Sequence, residues 1–262
     1  MDLQLRGKRA LVTGSTAGIG FATAEALARE GASVIVNGRG EARVREAVQA
    51  LSGAGAKVHG LAADLGTAEG AEVAIKAHPD LDILVNNVGI YEPKPFEDIP
   101  DEDWSRMIEV NFMSGVRLCR HHLPRMKQRS WGRIVFISSE SAVNIPVEMV
   151  HYGVTKTMQV ALARGLAEGC AGTAVTVNSV LAGPTRSEGV GRFVEDLAKA
   201  RGVDPAEVER DFFATARPSS LLQRFADPAE VAPLVAFLAS PLSAATNGAA
   251  LRADGGVVRS IL

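Results

Sequence analysis

Six short runs rich in β-branched and aliphatic residues recur along the chain, and each adjoins a longer segment with helical periodicity. The runs cover residues 9–12, 33–36, 57–61, 81–85, 133–138 and 175–177. Alternation of this kind is typical of βαβ units, in which helices cover both faces of a parallel sheet. Because such crossovers are right-handed, the pattern predicts a doubly wound α/β fold. No Pro- or Ser-rich linker and no repeat interrupts the alternation, which predicts a single domain over residues 1–262.

The composition is that of an ordinary globular chain and disfavours several functional classes. Hydrophobic residues make up 47% of the 262 residues and the formal net charge is -2, so we expect no nucleic-acid partner. We expect no membrane partner, since no apolar run approaches the roughly 18 residues of a membrane span. The charged N-terminus lacks a signal-peptide core, and Cys119 and Cys170 lack metal-ligand spacing. These features predict a cytoplasmic protein with no metal site.

Three glycines mark the turn after the first run, which reads Thr13-Gly14-Ser15-Thr16-Ala17-Gly18-Ile19-Gly20. Glycines allow the backbone to approach a pyrophosphate closely, and a helix that begins at Gly18 offers it unpaired N–H groups and a partial positive charge. The alternative is a tight turn with a structural role only. The position directly after the first strand favours a dinucleotide site.

The end of the second run bears on which dinucleotide binds. An NAD site usually has an acidic residue about 20 positions past the glycines, and here the chain reads Asn37-Gly38-Arg39. Arg39 can instead pair with a 2′-phosphate, which predicts NADP(H) as the preferred cofactor and leaves NAD(H) possible. The alternative is that Arg39 is only a solvated loop charge.

Tyr152 and Lys156 lie four residues apart in a segment with helical periodicity, so their side chains can reach the same point. A nearby ammonium lowers the pKa of a phenol and makes it a usable acid or base. Ser139 follows a buried strand at the sheet edge where ligands bind in α/β proteins. A Tyr and a Lys also occur at this spacing by chance, so the catalytic interpretation of the pair depends on the presence of Ser139 as well.

Taken together, these motifs resemble those of the short-chain dehydrogenases/reductases, and the resemblance covers nearly the whole chain. The matching residues are Gly14, Gly18, Ile19, Gly20, Asp64, Leu65, Asn86, Asn87, Gly89, Asn111, Ser139, Tyr152, Lys156, Gly183, Pro184, Thr185 and Asp254-Gly255-Gly256. The resemblance implies a Rossmann-type, parallel, seven-stranded sheet with helices on both faces. Where the family usually has Pro-Gly, this chain has Ala182-Gly183, and we expect a slightly looser loop there.

The resemblance also implies a role for each residue of the site. Tyr152 would be the catalytic acid or base, Lys156 would lower its pKa and hold the nicotinamide ribose, and Ser139 would bind the reacting oxygen. Asn111 would hold a water in a proton relay behind Lys156. The implied cofactor contacts are Gly14, Ser15, Thr16, Gly18, Ile19, Gly20, Arg39, Asp64, Leu65, Asn87, Gly89, Tyr152, Lys156, Gly183, Pro184 and Thr185.

Residues 186–217 are the expected substrate lid, and their pattern predicts two helices over residues 188–201 and 204–214. Phe193, Phe212 and Phe213 are candidate substrate contacts, although Phe at helical spacing more often belongs to a core. The helix that carries Tyr152 is apolar on several sides, which predicts a homo-oligomer. The resemblance implies that it is a dimer or a tetramer.

The expected function is NADP(H)-dependent interconversion of a small-molecule carbonyl and a secondary alcohol. An NAD-dependent alcohol dehydrogenase and a catalytically silent nucleotide sensor are the alternatives.

Overall fold

The computed structural model describes residues 2–52 and 57–261, with all of their side chains except that of Phe193. Its strands are β1 (Arg9–Val12), β2 (Ser33–Gly38), β3 (Val58–Ala62), β4 (Ile83–Asn86), β5 (Gly132–Ser139), β6 (Val175–Ala182) and β7 (Ala250–Ala253). Its α-helices are α1 (Gly18–Arg29), α2 (Glu41–Ser52), α3 (Ala68–Ala77), α4 (Asp101–Ile108), α5 (Ser114–Gln128), α6 (Val150–Glu168), α7 (Glu188–Arg201), α8 (Pro205–Thr215) and α9 (Pro228–Ala239). A π-helical segment, Glu109–Met113, joins α4 to α5.

All seven strands form one parallel sheet in the order β3-β2-β1-β4-β5-β6-β7. The chain moves outwards from β1 to β3 and then returns to the other side of β1 with β4. The strand order therefore reverses between β1 and β4, where a crevice opens at the carboxyl ends of the strands. The predicted seven-stranded, doubly wound sheet is confirmed.

Alternate residues of the strands face two separate hydrophobic cores. In β5, Val135 and Ile137 belong to the core beneath α1 and α9, whereas Ile134 and Phe136 belong to the core beneath α5 and α6. All eight residues of β5 are buried, as expected for a central parallel strand covered on both faces. Because both faces are covered, the sheet leaves its carboxyl edge as the place for a ligand.

The two helices of the predicted lid form a small core of their own. Helix α7 begins after Ser187, whose side chain accepts from Val190 N, and helix α8 begins after Asp204, whose side chain accepts from Ala206 N. Each side chain satisfies an N–H group that lacks a partner in the first helical turn. Phe213 is 1% exposed and packs against the Phe225 ring, so it belongs to the lid core. The side chain of Phe193 lies outside the described part of the structure.

Among the described residues, no helix combines the length and the apolar character needed to cross a membrane.

Candidate active site

The turn between β1 and α1 is held in shape by its glycines and by Asn87. Gly14 and Gly18 have positive φ angles of 60° and 57°, a conformation that side chains with a Cβ rarely adopt. A Cβ on Gly20 would lie 2.5 Å from both the Gly14 carbonyl oxygen and Asn87 Nδ2. Asn87 Nδ2 donates to the carbonyl oxygens of Thr13 (2.9 Å) and Gly14 (3.0 Å). The turn therefore lies close against β4.

Helix α1 presents its N-terminus to the crevice between β1 and β4. Its N-cap residue, Ala17, makes no side-chain capping bond, and its first turn contains no acidic residue. The free N–H groups and the positive end of the helix dipole suit an anion such as a pyrophosphate. Thr16, Gly18, Ile19 and Gly20 line a groove of about 660 Å³ at this point. The residues present therefore fit a dinucleotide.

Ser15 lies inside the turn and does not line the groove. It is 0% exposed, its hydroxyl donates to the Val12 carbonyl oxygen (2.6 Å), and it accepts from Asn37 N (2.9 Å). Both functions of the hydroxyl are thus used within the protein. The Ser15 side chain therefore stabilises the turn, and direct contact of Ser15 with the cofactor stays a prediction.

The end of β2 contributes cations and no carboxylate to the groove. Asn37 is 1% exposed, and its amide bonds to Gly14 N and to the carbonyl oxygens of Leu61 and Ala63. Arg39 is exposed and lines the groove, as does Arg43, one turn further along at the start of α2. Arg43 forms an ion pair with Glu188 at the first residue of α7. The sequence prediction missed Arg43, although its position four residues after Arg39 was a signal.

Some of the other predicted cofactor contacts line the groove or the cavity next to it, and others line neither. Asn87 and Gly89 line both this groove and an adjoining cavity of about 560 Å³, which Gly183, Pro184 and Thr185 also line. Leu65 is 1% exposed within the core beneath α5 and α6. Asp64 is exposed just after β3. Direct contact by Gly14, Asp64 and Leu65 stays a prediction, since none of them lines either space.

Ser139, Tyr152 and Lys156 all line the adjoining cavity of about 560 Å³. Ser139 ends β5, and its hydroxyl accepts a hydrogen bond from Ser141 N (3.1 Å). Tyr152 and Lys156 lie one turn apart on α6, and the Lys156 Nζ atom lies 5.6 Å from the centroid of the Tyr152 ring. The geometry thus places two hydroxyl groups and one amine around a common space.

Burial controls the ionisation of both helical residues. It raises the pKa of Tyr152 to about 12, with the Ser139 hydroxyl acting in the opposite direction. Burial also lowers the pKa of Lys156 to about 8. Desolvation is the largest influence on the Tyr152 pKa, and the expected lowering of this pKa by Lys156 stays a prediction. Tyr152 keeps its proton in the neutral pH range.

Asn111 and Gln159 connect Lys156 to the π-helical segment. The Asn111 amide donates to the Ile90 carbonyl oxygen (2.9 Å) and to Thr155 Oγ1 (3.0 Å), so it ties the loop after β4 to α6. The Asn111 carbonyl oxygen accepts from Gln159 Nε2, and Lys156 Nζ donates to Gln159 Oε1 (3.3 Å). The relay water predicted at Asn111 stays a prediction, and the side chain that bridges the two residues is Gln159, which the sequence prediction missed.

A buried ion pair lies in the wall of the cavity next to Ser139. Arg217 Nε donates to Glu140 Oε1 at 2.8 Å, and these side chains are 7% and 3% exposed. Arg217 Nη1 also donates to Glu148 Oε1 (3.2 Å). Burial raises the pKa of Glu140 in spite of Arg217. This cluster, too, was missed from the sequence, because 77 residues separate Arg217 from Glu140.

No group of three or more His, Cys, Asp or Glu residues in the described ranges 2–52 and 57–261 is arranged to hold a metal ion.

Comparisons with known proteins agree with this arrangement. The sequence model for short chain dehydrogenase matches residues 8–198. The chain is 51% identical to the uncharacterized oxidoreductase YvaG of Bacillus subtilis, with 100% of each chain covered. It is 36% identical to D-beta-hydroxybutyrate dehydrogenase of Cupriavidus necator, over 97% of this chain and 99% of that relative.

A solved structure shows the same fold along its whole length. The crystal structure of L-sorbose reductase from Gluconobacter frateurii, complexed with NADPH and L-sorbose, has a TM-score of 0.94 and 31% identity, and covers 100% of both chains. With the family match and the sequence relatives, it shows that this chain belongs to the short-chain dehydrogenase/reductase family and is an NAD(P)-dependent oxidoreductase.

Proposed function

We propose that the protein interconverts a carbonyl compound and a secondary alcohol with NADP(H) as its preferred cofactor. The observation that carries the proposal is the convergence of Ser139, Tyr152 and Lys156 at the end of a cavity that adjoins the dinucleotide groove. Residues 186–217, which include α7 and α8, are the proposed lid of that cavity.

The two hydroxyl groups are suited to stabilise an oxygen atom that gains negative charge. The Ser139 oxygen accepts from Ser141 N, and the hydroxyl hydrogen, which acts on the Tyr152 oxygen in this structure, would turn to the substrate oxygen when the substrate binds. Tyr152 is protonated at neutral pH and donates its proton to the same atom. Donors aimed at developing charge are typically worth about 3 kcal/mol each. When bound, the nicotinamide supplies or accepts the hydride.

A reaction assay tests this proposal. Ketones and secondary alcohols are supplied with NADPH or NADP⁺, and the absorbance of NADPH is followed. A protein that binds the cofactor but turns over no member of a broad panel would contradict the proposed reaction.

Two arginines support the preference for NADP(H). Arg39 and Arg43 line the groove beside the turn, while the nearest polar side chain at the end of β2, Asn37, is engaged inside the protein. Arg39 has no ion-pair partner among the described residues, and Arg43 is bound to Glu188 through an exposed pair. A doubly charged 2′-phosphate would compete well with a single exposed carboxylate for Arg43.

We expect Arg39→Ala and Arg43→Ala each to lower kcat/KM for NADPH by about 10-fold to 100-fold, because hydrogen bonds to charged groups are worth about 1.5–3 kcal/mol. The kcat/KM for NADH should change little. Arg45→Ala is the matched control, since Arg45 is exposed on α2, the helix that carries Arg43, but does not line the groove. A wild-type preference for NADH, or an equal loss in Arg45→Ala, would count against the assignment.

A homo-oligomer, a dimer or a tetramer, is proposed to form through α5 and α6. In α6, Ala161 is exposed and Val154, Met158, Val160 and Leu162 are only partly buried. An apolar surface of this kind favours burial against another copy. Light scattering should give a mass above that of one chain at micromolar concentration, and Ala161→Arg should reduce it. A monomer in both samples would refute the proposal.

The cytoplasmic location stays a prediction, which fractionation of the source cells tests.

A further inference from the structure

The cavity that Ser139, Tyr152 and Lys156 line is apolar over most of its wall. The proposed lid contributes Val190, Val194 and Leu197 from α7, Val208 and Phe212 from α8, and Phe225 beyond it. Tyr91 and Met149 line the cavity from other segments. A cavity of this composition favours the apolar part of a ligand through burial of nonpolar surface.

The charged groups of the cavity wall restrict the choice of substrate more than its apolar residues do. Three cations line the cavity, Lys156, Arg201 and Arg217, and so do three carboxylates, Glu140, Glu148 and Asp211. Arg201 Nη1 lies 3.3 Å from Asp211 Oδ2. Arg217 is bound to both Glu140 and Glu148. Each guanidinium of the wall is therefore already neutralised by a carboxylate.

Lys156, the third cation of the wall, cannot bind an acidic group of the substrate that lies far from the reacting carbonyl. Lys156 lies at the catalytic end, where it donates to the Ile137 carbonyl oxygen (2.9 Å) and to Gln159. Arg217 with its two carboxylates forms a cluster of net charge -1 directly beside Ser139. A substrate carboxylate beside this cluster would meet its net negative charge and lose its hydration. Lys156, which has no carboxylate partner among the described residues, is expected to hold the nicotinamide ribose instead.

We infer that the substrate is a neutral carbonyl compound with an apolar body, and that the Glu140–Arg217–Glu148 cluster excludes anionic substrates. This inference rests on the proposed function and narrows it. It also separates the chain from its relative D-beta-hydroxybutyrate dehydrogenase, whose named substrate carries a carboxylate.

A pair of probes that differ in charge tests the inference. Acetoacetate and methyl acetoacetate have the same reacting ketone, but only the acid is ionised at neutral pH. We expect kcat/KM for the ester to exceed that for the acid by about 100-fold, because a like charge and an unpaired carboxylate both oppose binding of the acid. Benzyl acetoacetate, with a larger apolar group, should be better still. An acid that is turned over as well as or better than its methyl ester would overturn the inference.

Two variants assign the discrimination to the cluster. Glu148→Gln brings the net charge of the cluster to zero and should narrow the ratio of ester to acid by about 10-fold. Glu195→Gln removes an exposed carboxylate of α7 that does not line the cavity, and it should leave the ratio unchanged. An unchanged ratio in Glu148→Gln, or an equal change in both variants, would refute the role of the cluster.

Thermal stabilisation of the protein by each probe, measured with NADP⁺ present, separates this inference from the proposed reaction. Stronger stabilisation by the esters without any turnover would support the neutral pocket while the reaction fails. Stronger stabilisation by acetoacetate, or none by any of the three probes, would overturn the inference whatever the reaction.

Discussion

Tyr152→Phe should lower kcat by about 1,000-fold or more, since a positioned general acid contributes typically 10²-fold to 10⁴-fold and a hydrogen bond to the oxygen is lost as well. The change removes one hydroxyl group and keeps the ring, which packs edge to face against Tyr91 with centroids 6.4 Å apart. Lys156 lies over the same ring. The fold and the affinity for NADP(H), measured by fluorescence titration, should therefore change little.

Tyr91→Phe is the matched control for this experiment. Tyr91 and Tyr152 are the two tyrosines of the chain, and both line the cavity that Ser139 and Lys156 line. Tyr91 lies in the loop after β4 and is not on the helix that carries Lys156. We expect Tyr91→Phe to keep kcat within about threefold of the wild type, because it loses no catalytic proton. If Tyr91→Phe were inactive and Tyr152→Phe active, the proton donor would have been assigned to the wrong tyrosine.

The second large effect concerns stability. Arg217→Met should lower the free energy of unfolding by about 3–5 kcal/mol, because it leaves the Glu140 carboxylate buried without its partner. For a chain of this size that loss corresponds to a fall in Tm of roughly 10 °C. The double variant Glu140→Leu/Arg217→Met should recover most of the loss, since an apolar pair of similar volume often replaces a buried ion pair without cost.

The loss in Arg217→Met should also depend on pH. Burial holds the pKa of Glu140 above its ordinary range even with Arg217 present, and removal of the guanidinium raises it further. Between the unfolded and folded pKa values the folded protein binds more protons, so the stability of the variant falls as the pH rises through this window. The deficit should be smaller near pH 5 than near pH 8.

Arg224→Met provides the comparison for this stability measurement. Arg224 and Glu230 form an ion pair whose side chains are 49% and 46% exposed, and exposed pairs are worth at most about 1 kcal/mol. An Arg217→Met variant no less stable than Arg224→Met would show that the buried pair contributes little.

The parts of the fold that the sequence predicted are those in which local pattern and tertiary environment agree. Strand β5 is both rich in branched residues and buried on both faces, and helix α8, Pro205–Thr215, lies within one residue of its predicted bounds, 204–214. Strand β7 was not predicted from its residues, Ala250–Ala253, because two of the four are exposed and the run has no β-branched side chain. The π-helical turn at Asn111 also has no marker in the local sequence.

The candidate site shows the same division. Tyr152, Lys156 and Ser139 were found because helical spacing and a strand end bring them together predictably. The partnership of Arg217 with Glu140 depends on how the residues after α8 lie next to the residues after β5, which local sequence does not encode. The direction of the Ser15 side chain and the raised pKa of Tyr152 depend on burial. Burial is a property of the assembled fold, and the local sequence does not reveal it.

The bridge made by Gln159 determines what Lys156 can offer to the space around it. Because Gln159 Nε2 donates to the Asn111 carbonyl oxygen, its Oε1 atom must face Lys156, and the Ile137 carbonyl oxygen is a second acceptor. An ammonium has a third hydrogen left over, whereas a neutral amine, with both hydrogens engaged, has only its lone pair. Because the pKa of Lys156 is about 8, a small rise above neutral pH changes the third position on Nζ from a hydrogen-bond donor to an acceptor. The hydrogen bonds to Gln159 and to the Ile137 carbonyl oxygen persist.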